Sequence, residues 1–133
     1  SLPKLAGGTG SLSDHAGEVV LIDFWATFCP PCRESLPHLD GLEDELADAP
    51  FHILSVNVDG PTSDRDVLVA AYLQQRHLSF DVHMDTGRAT YLYGARRIPR
   101  IVLVDREGVV RRVFQGRTDP RLIELAIEEL LPR

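Results

Sequence analysis

The run Val19-Val20-Leu21-Ile22-Asp23-Phe24-Trp25 passes through Ala26-Thr27-Phe28 into Cys29-Pro30-Pro31-Cys32, and this junction constrains the chain more than any other segment. The run is apolar except for Asp23 and rich in β-branched residues, the pattern of a strand buried on both faces in the middle of a sheet. Beyond the cysteines, Leu36, Leu39, Leu42 and Leu46 recur at helical spacing between about Pro31 and Ala47. A second buried-strand run, Phe51-His52-Ile53-Leu54-Ser55-Val56-Asn57-Val58, follows. Strand, helix and strand in this order imply a right-handed parallel unit, with the cysteine pair at the turn from strand to helix.

The remainder of the chain completes a mixed sheet. Between Asp59 and Asp85 the pattern is mixed: Val67, Leu68, Ala71 and Tyr72 predict a helix over Asp64 to Gln75, and Phe80 to Met84 a short strand. Ile101-Val102-Leu103-Val104, the turn Asp105-Arg106-Glu107-Gly108 and Val109 to Phe114 predict an antiparallel hairpin. Thr118-Asp119-Pro120 then opens an amphipathic closing helix through Leu122, Ile123, Ala126, Ile127 and Leu130. Gly7, Gly8 and Gly10 predict a flexible first stretch. With 133 residues, 44% hydrophobic, the chain is expected to form one α/β domain over 1–133, a mixed central sheet flanked by helices, with no internal repeat.

A domain of this size builds its own core and needs no disulfide staple, so the two cysteines call for another explanation. At a helix N-terminus the unpaired backbone N–H groups favour thiolate over thiol. Together with C-x-x-C spacing this lowers a cysteine pKa from about 8.5 into the range of roughly 3.5 to 7.5. Cys29 is then the nucleophile and Cys32, one turn deeper, the residue that resolves a mixed disulfide. A structural disulfide, a pair of inert thiols and half of a zinc site are the alternatives. Zinc needs two further ligands, yet there is no second C-x-x-C, and His38, His52, His77 and His83 show no ligand spacing. No metal and no cofactor are expected, and no histidine is assigned to catalysis.

The net charge of −6 argues against nucleic acid as a partner, since no basic excess is present to replace phosphate counterions. No stretch approaches the run of about 20 apolar residues that crosses a bilayer, and SLPKLAGGTGSLSDHAG lacks the pattern of a signal peptide.

The segment Val20 to Arg33 resembles the active-site segment of thioredoxins, and most closely that of the TlpA/ResA-like group. Pro37 within the first helix, Asn57-Val58-Asp59 before an insertion at about 59–85, and Ile98-Pro99 before Ile101 to Gly108 extend the resemblance over about residues 12–131. It implies a thioredoxin fold with that insertion after the second core strand. It also implies a cis bond before Pro99, with the backbone of Ile98, Pro99 and Arg100 docking substrate beside Cys29, Pro30 and Cys32.

Asp23 sits where thioredoxins carry a buried acid beneath the second cysteine, whereas the TlpA/ResA-like group more often has asparagine there and a glutamate three residues after that cysteine. Ser35 occupies the latter place here, with Glu34 one step earlier on another helix face. Asp23 is therefore the expected proton partner of Cys32; a solvated carboxylate at a strand end is the alternative. Arg96, Arg97 and Arg100 bracket Pro99, where the family has small or polar residues, and are expected either to favour the Cys29 thiolate or to form a solvated cluster. Trp25 and Phe28 are expected to form an apolar collar that meets substrate, or else to serve the core.

The resemblance implies a thiol-disulfide oxidoreductase acting on a disulfide-bearing protein. Its implied role is that of a specific reductant outside the cytoplasm, in cytochrome c maturation or in preparing copper-site cysteines. A membrane thiol would supply electrons, and the chain would act as a monomer, tethered through a segment outside this sequence. A disulfide-introducing oxidant and a metal-binding module are the competing readings. A peroxidase is disfavoured, because Ala26 and Ile22 stand where peroxiredoxins place threonine or serine and proline.

Overall fold

The computed structural model describes residues 1–132; Arg133, the end of the expected 1–133 domain, lies outside the described residues. The chain order is β1 (Leu2–Pro3), β2 (Thr9–Gly10), a 3-10 turn (Leu12–His15), β3 (Val19–Trp25), α1 (Pro30–Glu45), β4 (Phe51–Asn57), α2 (Arg65–Gln75), β5 (Asp81–Met84), α3 (Arg88–Leu92), β6 (Arg100–Val104), β7 (Val110–Gln115) and α4 (Pro120–Leu130).

Every residue of β3 is buried, as its unbroken apolar pattern demands, and it forms the centre of a sheet ordered β5-β4-β3-β6-β7. Strands β3, β4 and β5 run parallel, while β6 pairs antiparallel with β3, and β7 with β6. Alternation along β3 divides the core into two faces. Val19 and Leu21 pack with Leu39 and Leu42 of α1 and Ile123 and Ile127 of α4, and Trp25 packs with Leu36 of α1 and Val69 and Leu73 of α2. Val20, Ile22 and Phe24 face the other way, onto Ala89 of α3, Tyr93 and the N-terminal residues Leu2 and Leu12. Truncating a fully buried side chain such as Leu39 to alanine would cost about 2–5 kcal/mol.

One local expectation is corrected, and one element appears that the sequence pattern did not name. The glycine-rich start is a built hairpin. Gly7 (φ 108°) and Gly8 (φ 75°) supply the turn, Lys4 N–H donates to the Gly8 carbonyl at 2.9 Å, and Leu5 N–H donates to Val82 of β5 at 2.9 Å. Gly10 is needed for a different reason: a Cβ there would collide with the imidazole of buried His83. The added element is α3, which no hydrophobic period announced. It forms because the Asp85 carboxylate accepts from Ala89 N–H at 3.1 Å, Thr90 N–H at 3.3 Å and the Thr90 hydroxyl. The insertion itself supplies α2 and the edge strand β5, close to the expected bounds.

The β6–β7 hairpin matches expectation, with Val102 opposite Val113 and a bulge between Leu103 and Val104. The Asp105 carboxylate closes its turn, accepting from the N–H groups of Glu107 and Val109, both at 2.9 Å, and from Arg111 Nε at 2.6 Å.

Candidate active site

Where β3 ends, the chain must turn into α1, and Cys29 is the residue that caps that helix, with extended backbone (φ −103°, ψ 103°). Pro30 and Pro31 follow at positions whose N–H groups would have no helical partner, so two prolines are accommodated without losing a bond. The first free amide in the turn is that of Cys32, which donates to Cys29 Sγ at 3.3 Å. Cys29 and Cys32 form a disulfide, with their Cα atoms 5.3 Å apart. Cys29 is the outer of the two, 5% exposed, whereas Cys32 is wholly buried.

The loop before Cys29 is held from β4. Thr27 N–H and Oγ1 donate to the two carboxylate oxygens of Asp59 at 3.0 and 2.9 Å, and Asp59 N–H in turn donates to Asn57 Oδ1 at 3.0 Å. Val58 N–H donates to the Trp25 carbonyl at 2.8 Å, extending the ladder into the loop. Asn57-Val58-Asp59 is thus more than the entrance to the insertion. Thr27 and Asp59 carry polar groups on either side of two strand ends, but nothing in a linear reading pairs them across the intervening helix and strand.

Asp23 lies mid-strand, between Ser55 on β4 and Ile101 on β6. By alternation it shares the α1-covered face with Trp25, whose packing cluster contains both cysteines and Leu36. It is 1% exposed, and neither carboxylate oxygen has a hydrogen-bond partner among the described residues. Burial alone pushes its pKa from 3.8 up to about 7. A solvated strand-end carboxylate is therefore ruled out by its surroundings. Glu34 is exposed and paired with Arg117 at 2.9 Å, and Ser35 donates its hydroxyl to the Cys32 carbonyl at 3.1 Å.

The Ile98–Pro99 bond is cis, as the resemblance implied. Ile98 packs against the cluster holding the cysteines, and Pro99 lines a cleft of about 320 Å³ between α1 and the start of α4, together with Pro31, Ser35, His38 and Thr118. His38 Nε2 lies 3.2 Å from Oε1 of Glu124 on α4. Phe28, 70% exposed, and Pro30, also exposed, flank the cysteines on the outer surface.

Two sequence expectations part from the structure here. Trp25 is wholly buried, with Nε1 donating to Ser55 Oγ at 2.7 Å and its ring 5.4 Å from that of Tyr72, so it is a core residue and cannot meet substrate. Arg100 belongs to the opposite face of the sheet: its Nε donates to the Tyr93 carbonyl at 2.7 Å and its Nη1 to Gln115 Oε1 at 2.9 Å. Alternation along β6 puts Ile101 on the Asp23 face and Arg100 away from it, so its guanidinium is not brought to Cys29. Arg96 and Arg97 are exposed in the loop before Ile98.

A parallel βαβ unit, an antiparallel hairpin, a cysteine pair capping the first long helix and a cis-proline before β6 together define a thioredoxin-fold protein. The pattern of the family described as Redoxin matches residues 1–129, and the chain belongs to that family. Within the superfamily it is of the TlpA/ResA-like type, a thiol-disulfide oxidoreductase with a redox-active pair at Cys29 and Cys32. The thiol-disulfide oxidoreductase ResA of Halalkalibacterium halodurans is 29% identical over 132 residues, spanning 98% of this chain and 73% of the relative. The thioredoxin-like protein YneN of Bacillus subtilis is 29% identical over 128 residues, spanning 96% and 74%. A solved structure from Chlorobium tepidum assigned as a thiol:disulfide interchange protein DsbE superposes with a TM-score of 0.87 at 33% identity, covering 97% of this chain and 90% of that one.

Proposed function

We propose that this oxidoreductase is a specific reductant of protein disulfides outside the cytoplasm, drawing its electrons from a membrane thiol donor and working as a monomer. The observation that carries the chemistry is the buried, unpartnered carboxylate of Asp23 on the sheet face beneath α1, whose first turn holds the cysteines. Its pKa of about 7 lets it take or return a proton near neutral pH.

In the reduced enzyme the Cys29 thiolate attacks one sulfur of the substrate disulfide. The substrate S–S bond breaks, a mixed disulfide forms, and the departing substrate sulfur takes up a proton. Asp23, in its carboxylate form, accepts the proton of Cys32. The Cys32 thiolate then attacks Cys29 Sγ, releasing the second substrate sulfur, which is protonated in turn, and closing the Cys29–Cys32 disulfide. The substrate leaves with two thiols, and two electrons from the thiol donor reopen the enzyme disulfide. An extended substrate segment would lie along the exposed Phe28 and Pro30 and the Ile98–Pro99 backbone, beside the cleft that Pro31 and Pro99 line.

No helix among the described residues is long and apolar enough to cross a membrane. Membrane attachment, in this reading, belongs to sequence outside this chain. Cytochrome c precursors and copper-site proteins are the substrate classes that the family resemblance favours.

The deciding measurement is the reduction potential of the Cys29–Cys32 pair, by equilibration with glutathione, together with the pH dependence of Cys29 alkylation. A potential near the roughly −270 mV of thioredoxin supports a reductant. A value near about −120 mV with a strongly acidic thiol would make the protein an oxidant and reverse the direction proposed here.

A further inference from the structure

Two of the five histidines, without ligand spacing in the sequence, come together in space. His15, at the end of the 3-10 turn, stacks on His52 of β4 with ring centroids 3.8 Å apart and planes within 10°. His52 Nε2 lies 3.2 Å from Asp81 Oδ2 of β5, and His15 Nδ1 lies 3.1 Å from Glu18 Oε1. One ligand atom from each of His15, His52 and Asp81 falls within 4.8 Å of the other two. The cluster stands at the opposite end of the sheet from the cysteines: His52 pairs with Val20 near the start of β3, and Cys29 follows the end of that strand.

We propose that His15, His52 and Asp81 form a binding site for a divalent transition-metal ion of the Zn²⁺ class, separate from the redox centre. Two imidazoles and one carboxylate, with water completing the set, make donors of the borderline kind that Zn²⁺ accepts. Ligand atoms on a tetrahedral ion with bonds near 2.1 Å stand about 3.4 Å apart, close to the separation already present for His52 with Asp81. The two imidazoles lie stacked with near-parallel planes, so binding one ion requires the rings to rotate out of the stack into other staggered rotamers that make their nitrogen lone pairs converge. All three residues are half-buried, sheltered yet reachable from solvent.

One group opposes the ion. Lys4 Nζ lies 3.3 Å from Asp81 Oδ1, leaving Oδ2 toward His52. Removing that ammonium should tighten binding, an effect with no counterpart at the cysteines. A bound ion would link the segment before β3 to β4 and β5, a clamp on the sheet that leaves thiol exchange untouched. The inference does not depend on the direction of electron flow.

The test is calorimetric titration of Zn²⁺ into the oxidised protein, in which Cys29 and Cys32 are tied up as a disulfide, with Co²⁺ absorption as a report on geometry. One equivalent of Zn²⁺ should bind, and Co²⁺ should show the visible bands of a tetrahedral ion that Zn²⁺ displaces. His15→Ala and His52→Gln should each weaken Zn²⁺ by at least about tenfold, since removing even an outer-shell partner of a metal typically costs 10–100-fold. Lys4→Ala should bind more tightly than wild type. Thiol-exchange activity serves as the folding control, and His15, on a surface turn, is the variant that decides if His52→Gln does not fold. Absence of saturable Zn²⁺ binding, undiminished binding in His15→Ala, or unchanged affinity in Lys4→Ala would each overturn the site as drawn.

Discussion

Asp23 and Asp59 are both buried carboxylates at the redox end of the sheet, 1% and 7% exposed, and their surroundings differ completely. Asp59 has both oxygens filled by Thr27, so its charge is used in holding the loop that carries Cys29. Asp23 has neither oxygen filled, and burial raises its pKa to about 7. A buried carboxylate with its hydrogen bonds satisfied is a structural part, whereas one left unsatisfied destabilises the fold and is retained for another reason. Under the function proposed above, that reason is proton exchange with the Cys32 thiol.

The strongest test of this contrast removes the chemistry that Asp23 is said to serve. Cys29→Ser should abolish insulin-disulfide reduction, by on the order of 10³-fold or more, because a serine hydroxyl does not form the attacking thiolate. Residual turnover would relocate the nucleophile.

Asp23→Asn should next lower the rate of mixed-disulfide resolution at pH 8 by roughly 10²-fold, in the range of a lost general base, and flatten its rise through pH 7 in stopped-flow thiol release. The same variant should be more stable than wild type. Because the folded carboxyl holds a proton that the unfolded one has released between pH 3.8 and about 7, the destabilisation by Asp23 is absent below that window, grows across it and is complete above it. Urea unfolding should therefore show a gain on the order of 4 kcal/mol at pH 8 that shrinks toward zero near pH 4. An equal gain at both pH values would remove the carboxyl as its source.

Asp59→Ala should behave in the opposite way. It should lose about 1.5–3 kcal/mol for the unpartnered Thr27 donors, with the pH profile of resolution unchanged, as read by the same unfolding and rate measurements. A shifted profile would put Asp59 in the proton path. The smallest effect is expected at the surface: Phe28→Ala should slow reduction of a protein disulfide several-fold, on the order of 1 kcal/mol of lost contact, and leave reduction of a small-molecule disulfide unchanged.

Much of this arrangement was legible beforehand. The apolar run of β3 named its own place in the sheet because only a strand buried on both faces tolerates such a sequence, and Asp23 was conspicuous as an acid interrupting that run. Cys29 and Cys32 were legible because helix capping and C-x-x-C chemistry are both local. The N-terminal hairpin was not legible, since Gly7 and Gly8 read as freedom until Val82 and Gly8 provide hydrogen-bond partners. Nor was α3, whose five residues depend on Asp85 for their cap.

The amino-acid sequence thus determined, through local pattern, the central strand, the main helices, the hairpin and the identity of the reacting sulfurs. Tertiary structure alone decided which side of the sheet each group serves. Trp25 went to the core and Phe28 to the surface, Arg100 turned from the cysteines to Tyr93, Asp59 reached Thr27, and His15 met His52 and Asp81. These are pairings between residues far apart in the chain. Their partners are set by strand register and packing, which no periodicity within a single segment encodes.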